Sequence, residues 1–163
     1  MTSLVDLFDL TGKVALTTGS SIGMGRAVAE GLAIAGAKVV ISSRKGDVCE
    51  QTADEINALC GEQIAIGIAC NIGYKEQLQS LVDQTHERLG QIDILVNNAG
   101  VNPYHGPSKD IPDSAFDKTM ESNVRSNHWL CHMVLPDMVG KKDGVIIITS
   151  SNGAFSASKE LGA

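Results

Sequence analysis

The stretch Thr18-Gly19-Ser20-Ser21-Ile22-Gly23-Met24-Gly25 puts three glycines into eight residues, after an apolar run and ahead of a helical pattern. Residues of this type at this spacing can hold a phosphate. Gly19 permits a tight turn. Gly23 lets a pyrophosphate approach the backbone at a helix N-terminus, where unpaired N–H groups and the helix dipole favour an anion. Gly25 lets helix and strand pack closely. The side chain of Ser21 and the main-chain N–H of Ile22 are further candidate contacts, although the Ile22 side chain can bond to nothing. No Gly-Lys-Ser/Thr follows, so this is not the loop of the triphosphatases.

Such a loop needs a strand to feed it and a helix to receive it. Five short β-branched runs, Val14–Thr18, Lys38–Ser42, Ile64–Ala69, Ile92–Asn97 and Val145–Thr149, are apolar with little alternation. Strands buried on both faces of a parallel sheet have this pattern. Helical periods lie between them. Gly23–Ala35 carries Val28 and Leu32, Asp47–Cys60 carries Val48, Thr52, Ile56 and Leu59, and Tyr74–Leu89 carries Leu78, Leu81, Val82, Thr85 and Leu89. A longer helix is expected over about Ser114–Val139, with Asp113 as its N-cap. Gly36, Gly61 and Gly90 each follow a helical run, as left-handed C-caps do. Alternating strands and helices with right-handed crossovers give an α/β fold: a Rossmann-like, doubly wound parallel sheet in three layers with about five strands. Its ligand site is expected at the carboxyl ends of the strands, near the point where strand order reverses.

The bulk properties narrow the function. The 163 residues suffice for one domain with a substantial core. A net charge of −6 argues against nucleic acid as a partner. No apolar run approaches the ~18 residues of a membrane span. The four cysteines, Cys49, Cys60, Cys70 and Cys131, form no C-x-x-C pair, and Met1–Leu10 lacks a secretory pattern, so a cytoplasmic location with free thiols is expected.

Four motifs in order make the chain similar to the short-chain dehydrogenase/reductase family. They are the T-G-x-x-x-G-x-G loop, Asn97-Asn98-Ala99-Gly100 after the fourth strand, Asn123 in Glu121-Ser122-Asn123-Val124, and Gly144-Val145-Ile146-Ile147-Ile148-Thr149-Ser150-Ser151. The resemblance covers essentially the whole chain. It implies a nicotinamide cofactor contacted by Asn98, Ala99 and Gly100, and by Asn71 and Ile72 after the third strand, where Asn71 replaces the family's usual adenine-binding aspartate. It further implies hydride transfer between that cofactor and an alcohol/carbonyl substrate. Ser151, rather than Ser150, matches the serine that orients the carbonyl, and Asn123 the asparagine that holds a relay water.

An NAD-preferring member carries an acid at the end of the second strand to bond the ribose 2′-hydroxyl. Here Ser43 stands at that position, followed by Arg44 and Lys45. A hydroxyl and two cations suit a 2′-phosphate, so NADP is expected in preference to NAD. The family's proton-transferring tyrosine and its lysine are absent, since no Tyr-x-x-x-Lys occurs in the sequence. The tyrosine would fall about a dozen residues past Ser151, near Ala163. Residues 1–163 are therefore expected to form a dinucleotide-binding domain incomplete at its C-terminus, with negligible turnover alone. The fifth strand would be an exposed apolar edge. Phe116, Met120 and Val124, on the inner side of the long helix, would lose a neighbour at a subunit interface. The alternative is a non-catalytic nucleotide-binding or interaction protein built on the same fold.

Two smaller patterns carry less. His128 and His132 are spaced i, i+4 with Cys131 beside them, but no third ligand is evident and no metal is expected. Ser156-Ala157-Ser158-Lys159 fits Ser-x-x-Lys without a companion motif.

Overall fold

In the computed structural model, which describes residues 6–156 and 159–160, five strands form one parallel sheet in the order β3-β2-β1-β4-β5. The strands are β1 (Val14–Thr18), β2 (Lys38–Ser43), β3 (Ala65–Ala69), β4 (Ile94–Asn97) and β5 (Val145–Ile148). The helices are α1 (Gly23–Ile34), α2 (Gly46–Cys60), α3 (Lys75–Arg88), α4 (Asp113–Met120) and α5 (Ser126–Lys141). The Ser-x-x-Lys pattern falls partly outside the described residues.

The expected class is the observed one, and strand runs and strands agree to within two residues. Consecutive residues explain why. Ala15 packs with Val39, Ile41, Ala29, Ala33 and Ile56 on one side of the sheet. Leu16 packs with Val40, Leu95, Leu78, Leu81 and Leu130 on the other. With helices on both faces, a polar residue has nowhere to alternate to.

The helix faces required more correction. α1 buries Gly25, Ala29 and Ala33, not the Val28 stripe, and Val28 is 39% exposed. α1 runs so close to the sheet that only small residues fit beneath it. On α2 the inward residues are Cys49, Thr52, Ala53, Ile56 and Asn57, and Leu59 faces solvent. Here Gly67 of β3 sets the separation: a Cβ on it would lie 2.5 Å from the Cys49 carbonyl carbon and the Glu50 nitrogen. The α3 face is as expected, with Leu78, Leu81, Val82 and Thr85 buried.

The expected Ser114–Val139 helix is broken by a π turn, Glu121–Arg125, between α4 and α5. Pro112 is the cap residue of α4, without a side-chain cap bond, so Asp113 is the first helical residue and not the N-cap. The row facing the core is Ser122, Ser126, Leu130, Val134 and Met138, at strict four-residue spacing. Phe116, Met120 and Val124 are exposed instead. No residue of α4 is buried, so nothing required the apolar side chains there to face inward.

Two buried carboxylates tie the amino-terminal edge of the sheet. Asp93 accepts from the Val14 N–H at 2.9 Å and from Lys141 Nζ at 2.8 Å. Asp137 accepts from the Ile92 N–H at 2.9 Å and pairs with His86 Nε2 at 2.7 Å. At the far edge, Val145, Ile147 and Ile148 of β5 are exposed, as the sequence implied.

Candidate functional site

Because every strand is parallel, the segments after β1, β2, β3, β4 and β5 all emerge at one edge of the sheet. Strand order reverses between β1 and β4, and there the backbones after them nearly touch. A Cβ on Gly19, whose φ is +64°, would lie 3.0 Å from the Ala99 Cα. A Cβ on Gly25 would overlap the Gly19 carbonyl oxygen and the Asn98 side-chain nitrogen. Gly25 thus lets α1 sit against the loop itself.

Gly23 is different in kind. Its φ is +63°, yet a Cβ there would meet nothing within 4 Å. It faces open space at the start of α1, whose cap residue Ile22 offers no side-chain cap bond. The first turn closes only with Arg26 N–H donating to the Ile22 carbonyl at 3.4 Å. Unpaired N–H groups, a dipole and an absent side chain coincide there, and this combination fits a phosphate. Ile22, 71% exposed, covers nothing.

The loop is held from beneath by hydrogen bonds of Thr18, Ser20, Asn98 and Thr52, among which the sequence marks only Asn98 as a site residue. Thr18 Oγ1 accepts from the N–H groups of Asn98 and Ala99, both at 3.1 Å. Asn98 Nδ2 donates to the carbonyls of Thr18 at 3.0 Å and Gly19 at 3.2 Å. Ser20 Oγ donates to the Thr17 carbonyl at 2.6 Å and accepts from the Ser42 N–H at 2.9 Å. Thr52 of α2 donates to the Ser21 carbonyl at 3.0 Å. A polar residue inside an apolar stripe, as Thr52 is, was the one available signal. Asn98 therefore serves first as a strut of the loop, with its carbonyl oxygen 3.5 Å from Thr149 Oγ1.

At the end of β2, Arg44 and Lys45 are exposed and Ser43 is half-buried. The Ser43 hydroxyl lies 3.1 Å from Cys49 Sγ and accepts from the Lys45 N–H at 3.3 Å, so it is drawn under the turn. The neighbouring cation Arg26 is engaged by Glu30 and Glu55, each at 2.8 Å, and those carboxylates hold its pKa above the ordinary arginine value. Beyond β3, Asn71 Oδ1 accepts from the Gly73 N–H at 3.1 Å, which uses one of its two lone pairs. Ile72 packs against the core below.

Asn123 sits in the π turn and binds Val101 through both ends of its amide, at 2.8 Å each. Its oxygen would also lie 3.2 Å from a Cβ on Gly100, so Gly100 leaves it room. Ser151, exposed, follows Thr149, whose N–H donates to the Asn97 carbonyl at 2.9 Å. Ser151 Oγ accepts from the Gly153 N–H at 3.2 Å and lies 3.3 Å from Asn152 Oδ1. The structure thus gathers all the predicted site residues at one edge, while several spend their polar groups locally. Among the described residues no group of three or more His, Cys, Asp or Glu could hold a metal.

Comparison with known proteins agrees with this geometry. The short chain dehydrogenase family model matches residues 13–163. Dehydrogenase/reductase SDR family member 4 of Homo sapiens is 40% identical over 150 residues, spanning 91% of this chain and 53% of that relative. Dehydrogenase/reductase SDR family member 2, mitochondrial, also of Homo sapiens, is 39% identical over 155 residues, 94% of this chain and 54% of the relative. Among solved structures, a 7α-hydroxysteroid dehydrogenase complexed with NADH and 7-oxo glycochenodeoxycholic acid superposes with a TM-score of 0.86 at 36% identity, covering 93% of this chain and 58% of that one. A short-chain type dehydrogenase/reductase from Mycobacterium marinum gives 0.87 at 36% identity, covering 96% and 62%. The chain belongs to the short-chain dehydrogenase family. It spans about half the length of the curated relatives it matches. Among the described residues no helix is long and apolar enough to cross a membrane.

Proposed function

We propose that these residues form the cofactor-binding part of an NADP(H)-dependent short-chain dehydrogenase/reductase. The reaction read from the family is hydride transfer between the nicotinamide and an alcohol/carbonyl substrate. The observation that carries the reading is Gly23: a left-handed glycine facing empty space over the uncapped start of α1, beside the strand-order reversal. The NADH bound to the hydroxysteroid dehydrogenase neighbour supports a nicotinamide cofactor here.

A bound nicotinamide would supply or accept the hydride. The chain's own residues do the positioning. The first-turn N–H groups of α1, with Gly19, Ser21, Ile22 and Gly23, hold the pyrophosphate. Arg44 and Lys45 hold a 2′-phosphate above Ser43, since Arg26 is already engaged by two carboxylates. Asn71 and Ile72 flank the adenine, with the remaining lone pair of Asn71 Oδ1 accepting from its amino group. Asn98, Ala99 and Gly100 wall the groove after β4. Ser151 orients the substrate oxygen. Asn123 acts on a relay water through the lone pair of its main-chain carbonyl that Asn127 Nδ2, at 2.8 Å, leaves free, because its amide is committed to Val101. Without a Tyr-x-x-x-Lys, these 163 residues alone bind cofactor and do not turn substrate over.

Exposed Phe116, Met120 and Val124 support association with a second copy. Four free cysteines support a cytoplasmic location, although one relative is named mitochondrial. The second reading, a non-catalytic nucleotide-binding or interaction protein, is favoured by one observation: the side chains of both catalytic candidates, Asn123 and Ser151, are engaged in local structure.

NADPH and NADH titrations, followed by cofactor fluorescence, test the assignment. Arg44→Asp should weaken NADPH much more than NADH. Equal loss of both would exclude a 2′-phosphate contact.

A further inference from the structure

Thr52 is a buried hydroxyl among the apolar residues of α2, with Ala53 and Ile56 packed beside it. Its Oγ1 stands 3.0 Å from the Ser21 carbonyl oxygen and 2.8 Å from that of Val48. The hydroxyl has one proton to donate. Val48 lies one turn back in α2, so its carbonyl already receives the Thr52 N–H in the helix. Among the described residues no other donor reaches the Ser21 carbonyl. Ser21 is itself buried, and an unpaired carbonyl there would be costly, so the proton goes to Ser21.

The direction of that carbonyl decides the direction of the next N–H. The Ser21–Ile22 peptide is trans and planar, so its C=O and N–H point opposite ways. A carbonyl drawn toward α2 turns the Ile22 N–H away from α2. Among the described residues nothing accepts from that N–H. It is the donor immediately before Gly23, where the absent side chain leaves open space. A second contact joins the same two helices, Arg26 Nη1 to Glu55 Oε2 at 2.8 Å. Those side chains are partly exposed, and their pairing leaves the loop backbone untouched.

We propose that Thr52 is a positioning residue for the cofactor: its hydroxyl fixes the Ser21–Ile22 peptide so that the Ile22 N–H is aimed at the pyrophosphate before the cofactor arrives. This rests on the reading of the loop after β1 as a pyrophosphate site. It extends that site to a residue of α2 that touches no part of the ligand.

Thr52→Val keeps the shape and removes the proton. Fluorescence titrations of the full chain should show NADPH and NADH weakened by the same factor, about three- to tenfold, since both carry the pyrophosphate. Thr52→Ser should restore both. Adenosine 2′-monophosphate has no pyrophosphate, so calorimetry should find it bound equally by wild type and Thr52→Val, which also shows that the variant folds. In amide NMR spectra the Ile22 signal should move on addition of NADH in wild type and Thr52→Ser, and move less in Thr52→Val. Glu55→Gln loosens the other contact between the helices and should change dinucleotide affinity by no more than about twofold. Unchanged dinucleotide affinity in Thr52→Val would overturn the proposal. So would a Thr52→Ser variant as weak as Thr52→Val, or an equal loss of the monophosphate, which would mean that α2 as a whole had shifted. A wild type that binds NADH but not the monophosphate would remove the NADP assignment and leave Thr52 to be decided on NADH. Binding of neither dinucleotide would remove both.

Discussion

Asn123 grips the main chain of Val101 with both ends of its amide, accepting from the N–H and donating to the carbonyl at 2.8 Å each. The helix pair thereby holds the segment that leaves β4, one residue past Gly100. Asn123→Asp keeps the size but removes the donor and sets a carboxylate oxygen against the Val101 carbonyl. The loss of one of the two hydrogen bonds and the new repulsion should cost about 1–3 kcal/mol in urea unfolding. NADPH affinity should fall with it, because the wall of the groove is released. A variant of unchanged stability would mean that the pairing is incidental.

Ser43 and Arg44 can be separated although they are adjacent. The Ser43 hydroxyl is turned toward Cys49 and the Lys45 backbone, so Ser43→Ala should change NADPH affinity little, within about threefold, or about 0.7 kcal/mol. Arg44→Ala should lose a charged contact of about 1.5–3 kcal/mol. Parallel fluorescence titrations decide it, and a larger loss in Ser43→Ala would reverse the assignment of roles.

Gly23 and Gly25 should fail in different assays. Gly25→Ala drives a methyl into the Gly19 carbonyl and the Asn98 amide, so it should destabilise the fold by about 1–3 kcal/mol in urea unfolding. Gly23→Ala has room, and carries only the left-handed backbone penalty of roughly 1–2 kcal/mol. Its methyl would occupy the space assigned to a phosphate, so nucleotide binding should be lost while the domain remains folded. Full binding by Gly23→Ala would move the phosphate elsewhere.

Stability should decline at both ends of the pH scale. Burial, with a smaller contribution from Cys49, pushes the Cys70 thiol up to about 11 from 9.0. A folded value above the unfolded one gives stability that is complete below pH 9.0 and is lost as pH rises toward about 11. The loss amounts to roughly 2–3 kcal/mol at most, and Cys70→Ala should remove that alkaline slope. On the acid side, a hydrogen bond from Lys13 holds Asp143 below its usual 3.8, and one from Gln51, then Arg26, holds Glu55 below 4.5. Those contributions are present above the unfolded values and disappear as pH falls through the folded ones. Urea midpoints measured across pH would show both slopes.

What could be read in the sequence follows from the kind of pattern each feature leaves. Buried parallel strands print as continuous apolar runs, so β1 to β5 were legible. Gly19, Gly23 and Gly25 were legible because backbone geometry and close approach leave few substitutes. α1 was misread because close packing selects Ala29 and Ala33, while larger Val28 stays outside. The ties between Thr18 and Asn98 were hidden, since a hydrogen bond between residues eighty apart leaves no local spacing. The same holds for Asn123: its position was clear, but its partner Val101 was not.

The π turn carries one residue more than an α-helix of the same rise would need. Removing that surplus, by deleting one residue within Glu121–Arg125, would let regular helix run from α4 into α5 with the faces on either side still in phase. Leu130 and Val134 would keep their seats on the sheet. What would be lost is the outward bulge that brings Asn123 to Val101. Here the chain keeps a local irregularity that the packing of Leu130 and Val134 does not require and that the Asn123–Val101 pairing does.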